Sequence, residues 1–221
     1  MSNAQMIFDL VSQATVQTLL MVLFSTIFSV LLGLPLGVLL FTTDPISGIS
    51  PHPVLNQVLS RIVNVLRSFP FIILLILLFP LSRFLLHTSI GTKATIVPLS
   101  IAAAPFVARV IETALKEVDP GVIQAAKAIG STNWQIIYKV LLPEALPALV
   151  DGITLTVINL IGYSAMAGAI GGGGLGDLAI RYGYQRFRTD IMFVAVVVIL
   201  VLVEVIQAVG TKISARMMKR R

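Results

Sequence analysis

A serine set among small residues, in the stretch Gly162-Tyr-Ser-Ala-Met-Ala-Gly168, is the arrangement most able to hold a nucleophile. Such a hydroxyl stays weak until a neighbouring base takes its proton. The chain has only two histidines and no cysteine. His52 and His87 flank opposite ends of one long apolar stretch, so Ser164 has no base at hand and hydrolysis is disfavoured. The run Gly171-Gly-Gly-Gly-Leu-Gly176 contains G-x-G-x-x-G at Gly171, Gly173 and Gly176. A dinucleotide site needs a strand before it, a helix after it and an acid about twenty residues on. Here the glycines follow an apolar helix and Asp190 falls in a loop, so the run is expected to be a bendable helix end lining an outer vestibule. No G-x-x-x-x-G-K-[ST] occurs, so the chain has no phosphate loop of its own. Without cysteine there are no disulfides, thiolate chemistry or thiolate-bound metals. Ionisable residues inside apolar segments are costly, because a charge costs about 2.5–3.5 kcal/mol at the bilayer centre. Arg109 and Glu112 are three apart on one helix face and predict a local ion pair, and Glu204 is placed to snorkel or pair near the end of the last segment.

The elements that must position these groups are membrane helices. Of 221 residues, 57% are hydrophobic and 12% charged, with a mean hydropathy of +0.96; soluble domains average about 25% charged. Crossing a bilayer takes roughly 20 apolar residues, which predicts five spans at about 16–41, 62–86, 94–115, 147–170 and 191–211. The expected fold is a single all-α integral membrane domain over 1–221, a five-span helix bundle with a cytoplasmic loop at about 116–146. Pro35, within Gly33-Leu-Pro-Leu-Gly37, should kink the first span. The net charge of +6 does not point to nucleic acid. Its densest part is the tail with Lys212, Arg216, Lys219, Arg220 and Arg221, which reads as a cytoplasmic anchor at anionic lipid. Five spans then place the N-terminus outside. Eleven of the sixteen basic residues fall inside, against Arg83, Lys93, Arg181, Arg186 and Arg188 outside.

The loop at 119–143 is punctuated like a pair of short helices. Asp119 suits an N-cap, Pro120 the first helical position and Gly130 a left-handed C-cap. Thr132 and Gln135 then fit a capping box, opening a second helix whose Trp134, Ile137 and Leu141 share a face and which Pro143 should end. Helices this short are marginal without tertiary contacts. The apolar face therefore either folds back on its own bundle or awaits another subunit.

The pattern Ala125-Ala126, three residues, Gly130, nine residues, Val140-Leu-Leu-Pro143 resembles the "EAA" loop of permeases in binding-protein-dependent ABC importers. Gln124 stands where that family usually has Glu, and Val140 where it has Ile. The stretches 67–80, 102–115, 139–150 and 160–176 resemble its methionine-uptake branch in particular. The resemblance implies a type I importer permease, not itself an enzyme, in the bacterial inner membrane. It implies a homodimer that works with two copies of a cytoplasmic ABC ATPase, which bind the ATP and Mg, and with an extracytoplasmic binding protein. Gln124, Ala125, Ala126, Gly130, Trp134, Ile137, Val140, Leu142 and Pro143 would form the ATPase-coupling loop, with Ala126 on the docking surface. Met166 would narrow the path, lined by Asn159, Tyr163 and Ser164, although a soft thioether there also serves as packing filler. The implied substrate is methionine. A permease for another amino acid or small polar solute is the nearest alternative. A secondary transporter is a more distant one, lacking the repeats and midplane charges it would need.

Overall fold

The structure is a computed structural model that describes residues 3–219, so Arg220 and Arg221 of the basic tail lie outside the described residues. All regular structure among the described residues is helical: α1 Asn3–Thr43, α2 Pro53–Ser68, α3 Phe71–Leu86, α4 Thr92–Lys116, α5 Pro120–Ala128, α6 Asn133–Ile136, α7 Leu142–Gly168, α8 Gly174–Leu178 and α9 Thr189–Met218. Two π-helical turns join α6 to α7 (Ile137–Leu141) and follow α8 (Ala179–Tyr184). Four helical runs are long and apolar enough to cross a bilayer, and α2 with α3 meets the same length and composition only as a pair bent by 102°.

Two expectations need correcting. The stretch 62–86 is not one helix, because Pro70 sits in an extended conformation (φ −58°, ψ 124°) between α2 and α3. Its ring drives the preceding residue out of the helical region and it offers no N–H to continue the ladder. The helix α1, 41 residues long, carries Pro35 within it. Pro143 does not stop the second loop helix either. α6, the π turn and α7 form one run, Asn133–Gly168, of 36 residues. A π turn widens the ladder by one residue, and here it lies immediately before the Leu142-Pro143 step, where an ordinary ladder would lose a donor.

The chain forms two compact units. One comprises 3–29, 69–103 and 157–207. Its core joins Met21 and Val22 of α1, Leu99 and Ala103 of α4 and Leu160 and Ile161 of α7, with Phe71 and Ile199 packed against them. A second cluster there sets Leu175 and Leu178 of α8 against Ala14 of α1 and Ile191 and Ala195 of α9. The outer face of α9 leaves Phe193, Leu200 and Val201 exposed, a pattern suited to hydrocarbon rather than water.

The other unit comprises 30–68, 104–156 and 208–219. Its core joins Phe41, Val107, Ile111 and Leu115 to Ile123, Ala126, Ile136 and Leu141. The two short loop helices are therefore anchored in the core of this unit. α1 lies close against α4 at Gly37, where an added Cβ would come within 2.6 Å of the Ala108 carbonyl. In the same unit Ser214 of α9 donates to Asp151 (2.7 Å) on α7.

Candidate functional site

The loop 119–141 is built as its residues dictate. The Asp119 carboxylate accepts from the Gly121 N–H at 2.8 Å, with Pro120 at the first helical position of α5. The helix ends in a Schellman arrangement: Ser131 N–H donates to the Ala126 carbonyl (3.1 Å) and Gly130 N–H to that of Lys127 (3.0 Å). Gly130 has φ +83°. Three residues on, Gln135 N–H donates to Thr132 Oγ1 (3.3 Å) while Thr132 N–H donates to Gln135 Oε1 (2.9 Å), a complete capping box.

The two faces of this loop differ from the expected ones. Ala126, Ile136 and Leu141 are buried and Ile137 is half-buried, so Ala126 faces inward and not onto the surface. The exposed apolar side chains are Ile129 (84%), Trp134 (72%) and Tyr138 (65%). Trp134, Ile137 and Leu141 do not share a face because the π turn advances each residue by less than an α-helix does, which rotates Leu141 inward. The i, i+4 spacing of Trp134 and Tyr138 is the signal that finds the outer surface. Gln124, Ala125 and Pro143 are exposed, and Val140 and Leu142 are half-buried.

A chain of alternating charges braces the base of the loop. Arg109 donates to Glu112 (2.6 Å), which also pairs with Lys116 (2.9 Å), which in turn reaches Asp44 (2.9 Å) just beyond α1. The predicted Arg109–Glu112 pair is therefore half of a four-member network. Arg109 also donates to Asn64 (3.0 Å) and to the Ser60 carbonyl (3.2 Å) of α2. Burial works against the Asp44 charge, but the Ser47 and Ile46 N–H groups and Lys116 outweigh it and hold its carboxyl well below the ordinary range.

In the other unit, Met166 is 50% exposed at the end of α7 and Asn159 is half-buried. Tyr163 stacks on Phe71 with ring centroids 4.1 Å apart. Ser164 is buried and donates to the Ile161 carbonyl at 2.7 Å. Its hydroxyl is spent within its own helix, so it neither lines an open path nor serves as a nucleophile. Gly174 N–H donates to Gln17 Oε1 and Leu175 N–H to Thr18 Oγ1, both at 2.9 Å, so these amides are not free to cradle a phosphate. Gly176 packs directly on the Ala165 backbone, so its place is a close helix contact rather than a vestibule lining. Sequence reasoning missed that Arg181 and Arg186 flank the Tyr182 ring, at 5.2 and 4.7 Å. Glu204 is exposed on α9 with no partner among the described residues.

A protein family described as "Binding-protein-dependent transport system inner membrane component" matches residues 30–219. The chain belongs to this family. It is 49% identical over 208 residues, 94% of its length and 92% of the other, to a probable D-methionine transport system permease protein of Vibrio cholerae. It is 49% identical over 182 residues, 82% of each chain, to a methionine import system permease protein of Bacillus subtilis. A crystal structure described as an inward-facing conformation of the MetNI methionine ABC transporter aligns with a TM-score of 0.94 and 46% identity, over 98% of this chain and 99% of that one. As a member of the family this all-α chain is a multi-pass inner-membrane permease with a type I importer fold.

In this permease the 119–141 loop does something specific. Its helix ends are satisfied locally and its inner face is locked into the unit core, so Ile129, Trp134 and Tyr138 are presented on a stiff support.

Proposed function

We propose that this permease forms, as a homodimer, the translocation pathway of an ATP-driven importer for methionine delivered by an extracytoplasmic binding protein. The main support is similarity over 94% and 82% of the chain to methionine permeases of Vibrio cholerae and Bacillus subtilis, joined to a fold that matches a methionine transporter over 98% of the chain. ATP and Mg would be bound by a separate cytoplasmic ATPase, two copies of which dock on the Ile129/Trp134/Tyr138 patches. One continuous helical run carries Trp134 near its start and Met166 near its end. ATP-driven closure of the docked subunits would push this run and switch Met166 between narrowed and open positions, a rigid-element transition between two states.

The test is reconstitution with the cognate ATPase and binding protein in liposomes. ATP-dependent, saturable uptake of methionine is expected, with Met166→Ala raising passive leak. Uptake of a different amino acid in place of methionine would overturn the substrate, and an unaltered leak would return Met166 to a packing role. The orientation, N-terminus outside and C-terminus cytoplasmic, is part of the proposal. Because the chain has no cysteine, single cysteines at Ser131 and Lys219 should label only from the cytoplasm and one at Tyr184 only from outside. Labelling of positions 131 and 184 from the same side would end the five-span reading.

A further inference from the structure

The helix α2 sits in its unit inside out. Asn56, Ser60 and Asn64 recur every four residues and so share one face, and this polar face is the one turned to the rest of the unit. Asn56 donates to the Leu40 carbonyl (2.7 Å) and to Thr43 Oγ1 (3.2 Å) of α1. The Ser60 carbonyl and Asn64 Oδ1 accept from Arg109 of α4, at 3.2 and 3.0 Å. Val54, Val58, Ile62 and Val65 are exposed on the other side. Of the sixteen residues of α2 only Val63 is buried, packed with Leu40 and Ala108. Burial of one valine holds a helix weakly, so the polar ties decide where α2 lies, as hydrogen bonds between membrane helices do where hydrocarbon offers no other partner.

These ties lead to the 119–141 loop. Arg109 Nη1 donates to Glu112 while its Nη2 reaches α2, and Glu112 extends the connection through Lys116 to Asp44. Lys127 of α5 donates to the Ile49 carbonyl (3.4 Å) in the segment between α1 and α2, and the Ile49 side chain is buried with Ile123 and Ala126. Arg109, Lys116 and Lys127 thus hold successive points along 44–64, and Arg109 is the one that reaches α2 itself. We infer that Arg109 is a positioning residue of the transport cycle, the joint that makes α2 follow the coupling loop when the docked ATPase moves it. A planar fork that serves Glu112 with one nitrogen and α2 with the other is a geometry that lysine does not supply. The inference rests on the ATPase docking proposed above and adds to it the element that the loop carries.

The experiment follows amide hydrogen exchange across 53–68 in the permease–ATPase complex, together with methionine uptake per ATP hydrolysed in proteoliposomes supplied with binding protein. Arg109→Lys keeps a cation for Glu112 but cannot span both partners. Asn64→Ala removes one α2 acceptor and leaves the Arg109–Glu112 pair in place. Loss of a charged hydrogen bond should speed exchange in α2 by about tenfold or more. Uptake per ATP should fall severalfold in both variants, with ATPase co-purification unchanged. Asn64→Asp, which retains the acceptor, should restore both readouts, and Gln57→Ala, exposed on α2, should match the wild type. Wild-type exchange across α2 in both variants would overturn the inference and leave the proposed function standing. So would faster exchange with unaltered uptake per ATP, which would make Arg109 a structural tie alone. Absence of ATPase attachment or methionine uptake in the wild type would overturn the proposed function and this inference with it.

Discussion

The two ends of α7 reverse the chain by different means. At its start, Asp119, Gly130, Thr132 and Gln135 close every turn with partners no more than five residues away. At its far end the turn 169–188 has positive φ at Gly171, Gly173, Gly174 and Phe187. There the amides are capped by Gln17 and Thr18, 157 residues distant in sequence. At one end the caps are local and the helices they close are then anchored in the unit core, while at the other the caps form only once α1 has packed against the turn. The difference suits a platform that must transmit force and a turn that must follow its neighbours.

The largest test of this contrast is a pair of charge insertions. Trp134→Glu should leave the fold intact, since Trp134 is 72% exposed, yet abolish ATPase co-purification and uptake. Ala126→Glu should instead bury an unpaired charge beside Ile123 and Ile136, destabilising the unit by several kcal/mol and lowering its melting temperature sharply. If the two behave alike in melting experiments, the loop is not anchored as described.

A smaller effect separates the two kinds of glycine. An added Cβ at Gly130 meets nothing within 4 Å, so Gly130→Val should cost only the left-handed backbone penalty of about 1–2 kcal/mol, and Gly130→Asn should recover most of it. Gly176 is limited by space against the Ala165 backbone. There Ala and Asn should both destabilise, by about 1–3 kcal/mol, with no rescue. Rescue by Asn at both sites, read as melting temperatures, would erase the distinction.

What could be foreseen from the sequence divides along the same line. Asp119, Gly130 and the Thr132/Gln135 box announce themselves because each acts on residues a few positions away. The long apolar runs did so too, since hydrocarbon demands length and little else. Whether a proline interrupts its helix was not foreseeable: Pro70 breaks one, while Pro35 and Pro143 do not, because the outcome depends on whether neighbouring packing or a π turn absorbs the lost donor. The inward rotation of Leu141 depended on that same π turn, while Ala126 turns inward because α5 packs it against the unit core. Lys116–Asp44 was hidden for a different reason, the 72-residue separation that only tertiary structure closes.

That last pair provides the smallest and most sharply signed effect. The Asp44 carboxylate accepts from Ile46 N–H, Ser47 N–H and the Ser47 hydroxyl at 2.9–3.0 Å and pairs with Lys116. All of these contacts favour its ionised form, and its folded-state pKa is lowered although burial opposes the charge. A depressed carboxyl pKa contributes stability that is complete above the unfolded value, about 3.9, and is lost as pH falls from there toward the folded value. The melting-temperature gap between wild type and Asp44→Asn should therefore stay constant from pH 7 to about pH 5 and close below about pH 4. At the opposite end of α7, the Arg188–Asp190 pair is exposed on both sides, and exposed pairs contribute little. Asp190→Asn should accordingly produce almost no gap at any pH. An Asp44 gap that widened on acidification would mean that the protonated form is favoured in the fold, and would remove the network as a brace beneath the loop.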